Sequence, residues 1–358
     1  MWLQRVAAGA LAVIPHFFDL FTGNFMKFKQ KLTLAGVLIA LTASNIVAAQ
    51  TNLLNASYDV AREFYKDYNG AFVAHYKKTT GKDVKIDQAH GGYSAQARAV
   101  NDGLEADVVT MNTTTDVDFL AGTGVVAKDW AKRFPNNAAP TTSTMLFLTR
   151  NGNPKNIKDW DDLVKPDVKV IVVNPKTGGN GRMAYLAAWG YVRAKGGTDA
   201  QAAEFVAKLY KNVPVLAKGG RDATTIFLQR NIGDVLVTFE SEVVSVDREF
   251  GAGKVDAIHP SVSIVAENPV AVVERTVAKN GTGELAKTYL NYLYSEEGQE
   301  IAAKHGLRPR SAAVLKKYSN VFKPMQLFAV SDYFGSLAEA QKVHFNDGGQ
   351  FDKLYTVK

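Results

Sequence analysis

Beyond residue 50 the chain repeats one local plan: a short apolar run ends in a small or polar turn, and the turn runs into a segment of helical periodicity. TNLLNASYD (51–59) stops at a polar turn, and in 60–81 Phe64, Tyr68, Phe72 and Tyr76 then line one stripe before Gly81 closes the segment. VKIDQAHGG (84–92) returns to strand and turn, SAQARAVNDG (94–103) to helix, and ADVVTMN (106–112) to strand. The plan recurs at VKVIVVNPKTGGNG (168–181), which leads into RMAYLAAWGYVRAKG (182–196), and again at GGRDATTIFLQR (219–230) and GDVLVTFESEVVSV (233–246). Such alternation predicts an α/β chain with open, mainly parallel sheets. Two stretches, PNNAAPTTSTMLFLTR (135–150) and SVSIVAENPVAVVERT (261–276, broken by Pro269), are extended and read as crossings between two lobes. The expectation is lobe I at 50–135 and 267–358 and lobe II at 136–266, with a cleft at the carboxyl ends of the strands.

The first 49 residues follow another logic. MKFKQK (26–31) is a basic stretch, LTLAGVLIALTA (32–43) an apolar run, and SNIVAAQ (44–50) offers small residues for cleavage after Ala49. The apolar run is too short to span a bilayer and lacks a second basic flank. Residues 26–49 therefore read as a secretion signal and 1–25 as an extension preceding a start at Met26, with a bacterial periplasm as destination. There is no cysteine, which excludes disulfides, lipidation after the signal and thiolate-held metals. The formal charge is +7, part of it in Arg5, Lys27, Lys29 and Lys31 against Asp19. The mild remaining excess, without a basic stripe interleaved with aromatics, gives no reason to expect nucleic acid.

Chemistry, on this plan, belongs at the strand ends. Four turns open helices: Ser57–Asp59, His90–Ser94, Thr177–Gly181 and Gly219–Ala223. Helix starts carry unpaired N–H groups and the positive end of a dipole, and glycine lets the main chain approach a ligand. Together they could hold an oxyanion without lysine or arginine. The competing reading is that each is merely a structural turn, with Lys176, Arg182, Lys218 and Arg221 as solvated charges. An enzyme is poorly supported: there is no HExxH or G-x-S-x-G, and His90 reads as a turn residue. Asp116/Asp118 and Glu240/Glu242, spaced i,i+2, fit helix-start or surface roles better than a metal or acid–base pair. No cofactor or metal set is evident.

Longer stretches carry a family resemblance. LLNASYD, ARAVNDGLEADVVT, KDWAKRFPNNAAPTTST, GNPKNIKDWDDLVKP, NPKTGG, NVPVL, IGDVL, YLYSEEGQEIAAK, RPR and HFNDGG span Leu53–Tyr355. In these the chain resembles the periplasmic sulfate-binding proteins, the sulfate/thiosulfate receptors of ABC transporters. The resemblance implies a type II periplasmic binding fold that closes over its ligand, acts as a monomer and delivers it to a permease in the inner membrane. It further implies that neutral donors hold sulfate: the amides of Asp59, Gly178, Gly179, Asn180 and Gly220, a side chain at Tyr93, and a side chain at Phe239. Thr177 is a candidate to compensate for donors this chain lacks. The family has serine at Tyr93 and Gly178, glycine at Asn180 and a tryptophan at Phe239, so an indole donor is missing here. Two ligand readings follow: sulfate itself, or a related anion such as thiosulfate, an organic sulfate ester or a sulfonate. A hydrolase of such esters is the remote third. A donor-lined site should reject monohydrogen phosphate, unless Asn180 or Asp222 turns an acceptor inward.

Overall fold

The computed structural model describes residues 51–91 and 94–355. Three parallel strands open it, β1 (Thr51–Tyr58), β2 (Val84–Gly91) and β3 (Val108–Thr110). The chain passes through β4 (Thr141–Ser143) into β5 (Met145–Arg150), β6 (Val170–Val173), β7 (Leu216–Ala217), β8 (Val235–Phe239) and β9 (Val255–Ile258). It returns along β10 (Val262–Ile264), β11 (Ala266–Asn268) and β12 (Val270–Val272), and two short strands follow, β13 (Arg308–Pro309) and β14 (Gln326–Phe328).

The described strands sort into two lobe sheets, a connecting one and the two-stranded parallel sheet β10-β14. The first sheet has the order β12-β3-β1-β2 and the second β7-β6-β8-β5-β9. Both are mixed rather than purely parallel, because β12 runs antiparallel to β3, and β5 antiparallel to β8 and β9. β4, β11 and β13 form a separate antiparallel sheet where the chain passes between lobes. Helices cover the lobe sheets, giving the α/β two-lobe architecture that the strand–turn–helix plan predicts.

Each lobe has its own apolar core. In the first, the helix Arg62–Thr80 buries Phe64, Tyr68 and Phe72 of the expected stripe. Tyr289, from the helix Gly283–Tyr292, sets its ring edge-on to both Tyr68 and Phe72, at 5.2 and 5.1 Å. In the second, the helix Gly179–Ala194 packs Met183, Leu186, Ala187 and Tyr191 among β-strand residues.

The tail departs from the expected boundaries. Residues 267–358 were expected wholly in lobe I, yet Phe328, Phe334, Phe345 and Phe351 belong to the second core. After β13 the chain crosses a third time. The seat is specific: a Cβ at Gly190 would lie 2.0 Å from the Phe328 ring, so the missing side chain makes room for it. His344 adds a bond of 3.1 Å with the Tyr185 hydroxyl. The two extended crossings read from the sequence are β4–β5 and β10–β12; the third is only two strand residues long and leaves no apolar pattern.

Candidate functional site

A narrow cleft of about 20 Å3 lies between the lobes. Tyr58, Val60 and Asn112 line it from the first lobe, and Asn180, Phe239, Ser241 and Glu242 from the second. Ser143 and Asn268, the last residues of β4 and β11, complete it from the connecting sheet. It sits beside a wider pocket of about 290 Å3 that also takes in Glu63, Arg221 and His305.

Three helix starts meet there. The turn Asp59–Ala61 follows β1 and feeds the 19-residue helix Arg62–Thr80. The 16-residue helix Gly179–Ala194 follows β6, and the 11-residue helix Glu240–Phe250 follows β8 directly. None of the three has a side-chain N-cap; the Glu240 amide of the third is taken by the Thr144 carbonyl at 2.8 Å, and Asp59, Glu240 and Glu242 place acidic side chains in the first turns. The second is pressed close to its strand. A Cβ at Gly181 would fall 2.3 Å from the Val173 carbonyl oxygen, so only glycine permits that approach.

The residues expected at the site divide. Asp59 opens its turn between the cleft residues Tyr58 and Val60, but its carboxylate points away to Arg62 at 2.8 Å. Gly179 and Asn180 are the first two residues of their helix, with no carbonyl four residues back to receive their amides. Phe239 is the half-buried N-cap of the third helix and brings a donorless ring to the cleft. Gly220 opens the short helix Gly220–Thr224 and accepts the Thr224 hydroxyl at 3.1 Å. It does not line the narrow cleft; its neighbours Arg221 and Thr224 line the wider pocket. Tyr93 lies outside the described residues, as do the secretion signal and the extension before it.

Two expectations are corrected. The Gly178 amide is already spent, donating to the Asn174 carbonyl at 3.0 Å to close its own turn. Thr177 is exposed, and its hydroxyl donates to the carbonyls of Asn174 and Lys218 at 3.2 and 3.4 Å rather than into the cleft. Asp222 likewise stays in its turn, accepting the Lys218 amide at 2.8 Å. Of the nearby cations, Lys176 pairs with Asp347 and Asp352, and Arg221 with Glu249. His90 bonds the Tyr58 carbonyl through Nδ1 at 3.2 Å, the structural role expected of it, and burial lowers its pKa.

Asp116, Glu240 and Glu242 stand in the first turns of their helices, as expected, but are buried, while Asp118 is exposed. Glu240 is buried and grips Arg308 through both oxygens, at 2.7 and 2.9 Å. Glu242 is buried at the cleft, and desolvation pushes its carboxyl up to about 7, against Arg221 and with Glu249. Asp116 is buried and raised by desolvation, while Asp118 accepts the Trp130 indole at 3.0 Å. Among the described residues no group of three His, Cys, Asp or Glu side chains could hold a metal.

Sequence reasoning missed Ser143 and undervalued the Asn180 side chain. Both are buried, and the Ser143 hydroxyl and the Asn180 Oδ1 have no hydrogen-bond partner among the described residues. Both fall in or beside family-resembling stretches, Ser143 in 128–144 and Asn180 after 174–179, but the burial that makes their side chains matter is a tertiary property.

A two-lobed α/β fold with a polar cleft fed by both lobes and by the strands between them is that of a solute-binding receptor. A family profile described as bacterial extracellular solute-binding protein matches residues 53–308. The thiosulfate-binding protein of Pseudomonas aeruginosa is 53% identical over 330 residues, covering 92% of this chain and 98% of its relative. The sulfate-binding protein of Escherichia coli is 51% identical over 320 residues, with 89% and 97% covered. Among solved structures, the sulfate-binding protein SubI from Mycobacterium tuberculosis superposes with a TM-score of 0.73 at 29% identity, over 82% of this chain and 99% of that one. The chain belongs to the bacterial extracellular solute-binding proteins, within the group of sulfate- and thiosulfate-binding proteins.

Proposed function

We propose that this protein captures sulfate in the interlobe cleft and delivers it, as a periplasmic monomer, to an ABC permease. The observation that carries the reading is the meeting of three uncapped helix starts, one from the first lobe and two from the second, at one desolvated cleft. The Asp59, Gly179 and Asn180 turns supply main-chain donors whose partial charges act strongly where water is excluded. Candidate side-chain donors are the Ser143 hydroxyl and, from its position in the sequence, Tyr93. With no charge-neutralising Lys or Arg among the residues lining the cleft, the anion is held by dipoles and hydrogen bonds.

Movement of the lobes about the connecting strands would let the anion in, and closure would surround it from both sides. On this reading function ends at binding and release: among the described residues lining the cleft there is no nucleophile–base–orienter set, and the relatives are named for binding sulfate and thiosulfate.

Calorimetric titration of dialysed protein with sulfate, thiosulfate and small sulfonates tests the assignment. Sulfate should bind at least as tightly as the others; a sulfonate that binds where sulfate does not would overturn it. Phe239→Trp restores an indole donor and should tighten sulfate about tenfold, the worth of one hydrogen bond to a charged ligand.

A further inference from the structure

His305 follows the helix Glu296–Lys304 and sits where the two lobes meet, its side chain 7% exposed. The approach there is close. Gly306 has a φ of 75°, and a Cβ on it would lie 2.8 Å from the Val244 side chain and 3.1 Å from Ser241 Cα, both on the second-lobe helix Glu240–Phe250. From that helix Arg248 sets Nη1 3.2 Å from His305 Nδ1. On the other side, His305 Nε2 lies 2.8 Å from Oδ2 of Asp67, on the first-lobe helix Arg62–Thr80. A guanidinium can only donate, so the Arg248 bond needs a lone pair on Nδ1, and the ring's single proton then sits on Nε2, donated to Asp67. Resting on the lobe closure proposed above, we propose that Asp67, His305 and Arg248 form an acid-sensitive clasp, which holds the lobes shut while His305 is neutral and releases them when it takes a second proton.

The direction follows from which lobe each partner belongs to. Asp67 shares the first lobe with His305, so it stays beside the ring when the lobes part and favours the imidazolium in either state. Glu63, on the same helix, does likewise, and the exposed Lys304 also travels with the ring. Arg248 arrives only on closure. A protonated ring would turn an Nδ1–H toward another donor and another positive charge. The remaining second-lobe charges in the pocket beside His305 do not offset this. Arg221 and Glu249 neutralise each other at 2.7 Å, and burial keeps Glu242 protonated up to about 7. Burial lowers the His305 pKa as well, against the pull of Asp67 and with that of Arg248. The closed form therefore holds the second proton more weakly than the open form, and acid shifts the population toward opening. Sulfate stays fully ionised over the same range, so the ligand does not share the titration.

The test is calorimetry of the full chain with sulfate at pH 7 and pH 5, for the parent and for His305→Gln, whose carboxamide can bridge Arg248 and Asp67 but does not titrate. The ratio of parent Kd to variant Kd should rise about three- to tenfold between pH 7 and pH 5. Both proteins carry Glu242, so its titration cancels in the ratio. Proton NMR gives a second readout, with the His305 signals identified by their loss in His305→Gln. The His305 pKa should fall when sulfate saturates the parent, and should be higher in sulfate-saturated Arg248→Met than in the sulfate-saturated parent. A Kd ratio flat from pH 7 to pH 5, or a His305 pKa that sulfate leaves unmoved, would overturn the clasp and leave the sulfate assignment standing. Failure of sulfate to bind at either pH would overturn the proposed function instead. Small-angle scattering then decides the clasp: the parent's radius of gyration should grow from pH 7 to pH 5 and that of His305→Gln should not, and equal behaviour of the two would overturn it.

Discussion

Glu242 shows how one residue can bias the whole site. It is buried at the cleft, and desolvation holds its carboxyl protonated up to about 7. Unfolded, the same side chain titrates near 4.3. The native state thus keeps a proton that the unfolded chain releases. The resulting stability is complete below about pH 4.3 and lost as pH rises through 7, a loss of up to roughly 3 kcal/mol. Glu242→Gln removes this titration. Urea denaturation between pH 5 and 8 should give a flatter profile for the variant, which should gain on the parent at the alkaline end. The same charge opposes an arriving dianion, so parent sulfate affinity should fall from pH 6 to 8 while the variant's stays level. Parallel profiles would remove Glu242 from this role.

At the scale of the element, one helix start at the cleft is placed by glycine rather than by a capping side chain. Gly181 fixes how closely the helix Gly179–Ala194 approaches β6. A methyl group there meets backbone at 2.3 to 2.8 Å, which no rotamer change relieves. Gly181→Ala should lower stability by about 1–3 kcal/mol through overpacking, read by thermal unfolding. It should also weaken sulfate at least tenfold by tilting the Gly179 and Asn180 amides off the anion. Stability loss with unaltered affinity would mean that these amides do not serve the ligand. The strands and helices themselves were legible in the sequence because apolar periodicity and terminal glycines are local signals. The fate of single donors was not. Whether the Gly178 amide faces a ligand or closes its own turn is decided by the position of the Asn174 carbonyl, and no residue type encodes that.

For the whole molecule, the connection between lobes includes a buried ion pair. Arg308 in β13 lies between the lobes and grips Glu240 at the start of a second-lobe helix, their side chains 11% and 2% exposed. Removing one partner strands the other in a dry site. Arg308→Ala should therefore cost about 3–5 kcal/mol, whereas an apolar replacement of both residues should recover much of it. Chemical denaturation of the single and double variants checks this; a single variant within about 1 kcal/mol of the parent would show that the pair is not structurally needed. Glu240 and Glu242 stand at a helix start as expected, but the pair shows why their burial was not legible. Two acidic residues at a helix start look like a solvated cap, and only the approach of β13, 68 residues away, buries the first of them.

The sequence alone determined the succession of strands, turns and helices, the first two crossings and the family, because each is written in neighbouring residues. It also placed glycine-lined helix starts at strand ends, which is enough to expect a main-chain oxyanion site. The tertiary structure decided the third crossing, in which Phe328 finds the gap above Gly190, and the committing of Thr177 and Gly178 to their own turn. It alone joined Ser143, Asn180 and Glu242 in one dry cleft. Desolvation makes those polar atoms consequential, and desolvation is a property of what surrounds a residue rather than of the residue itself.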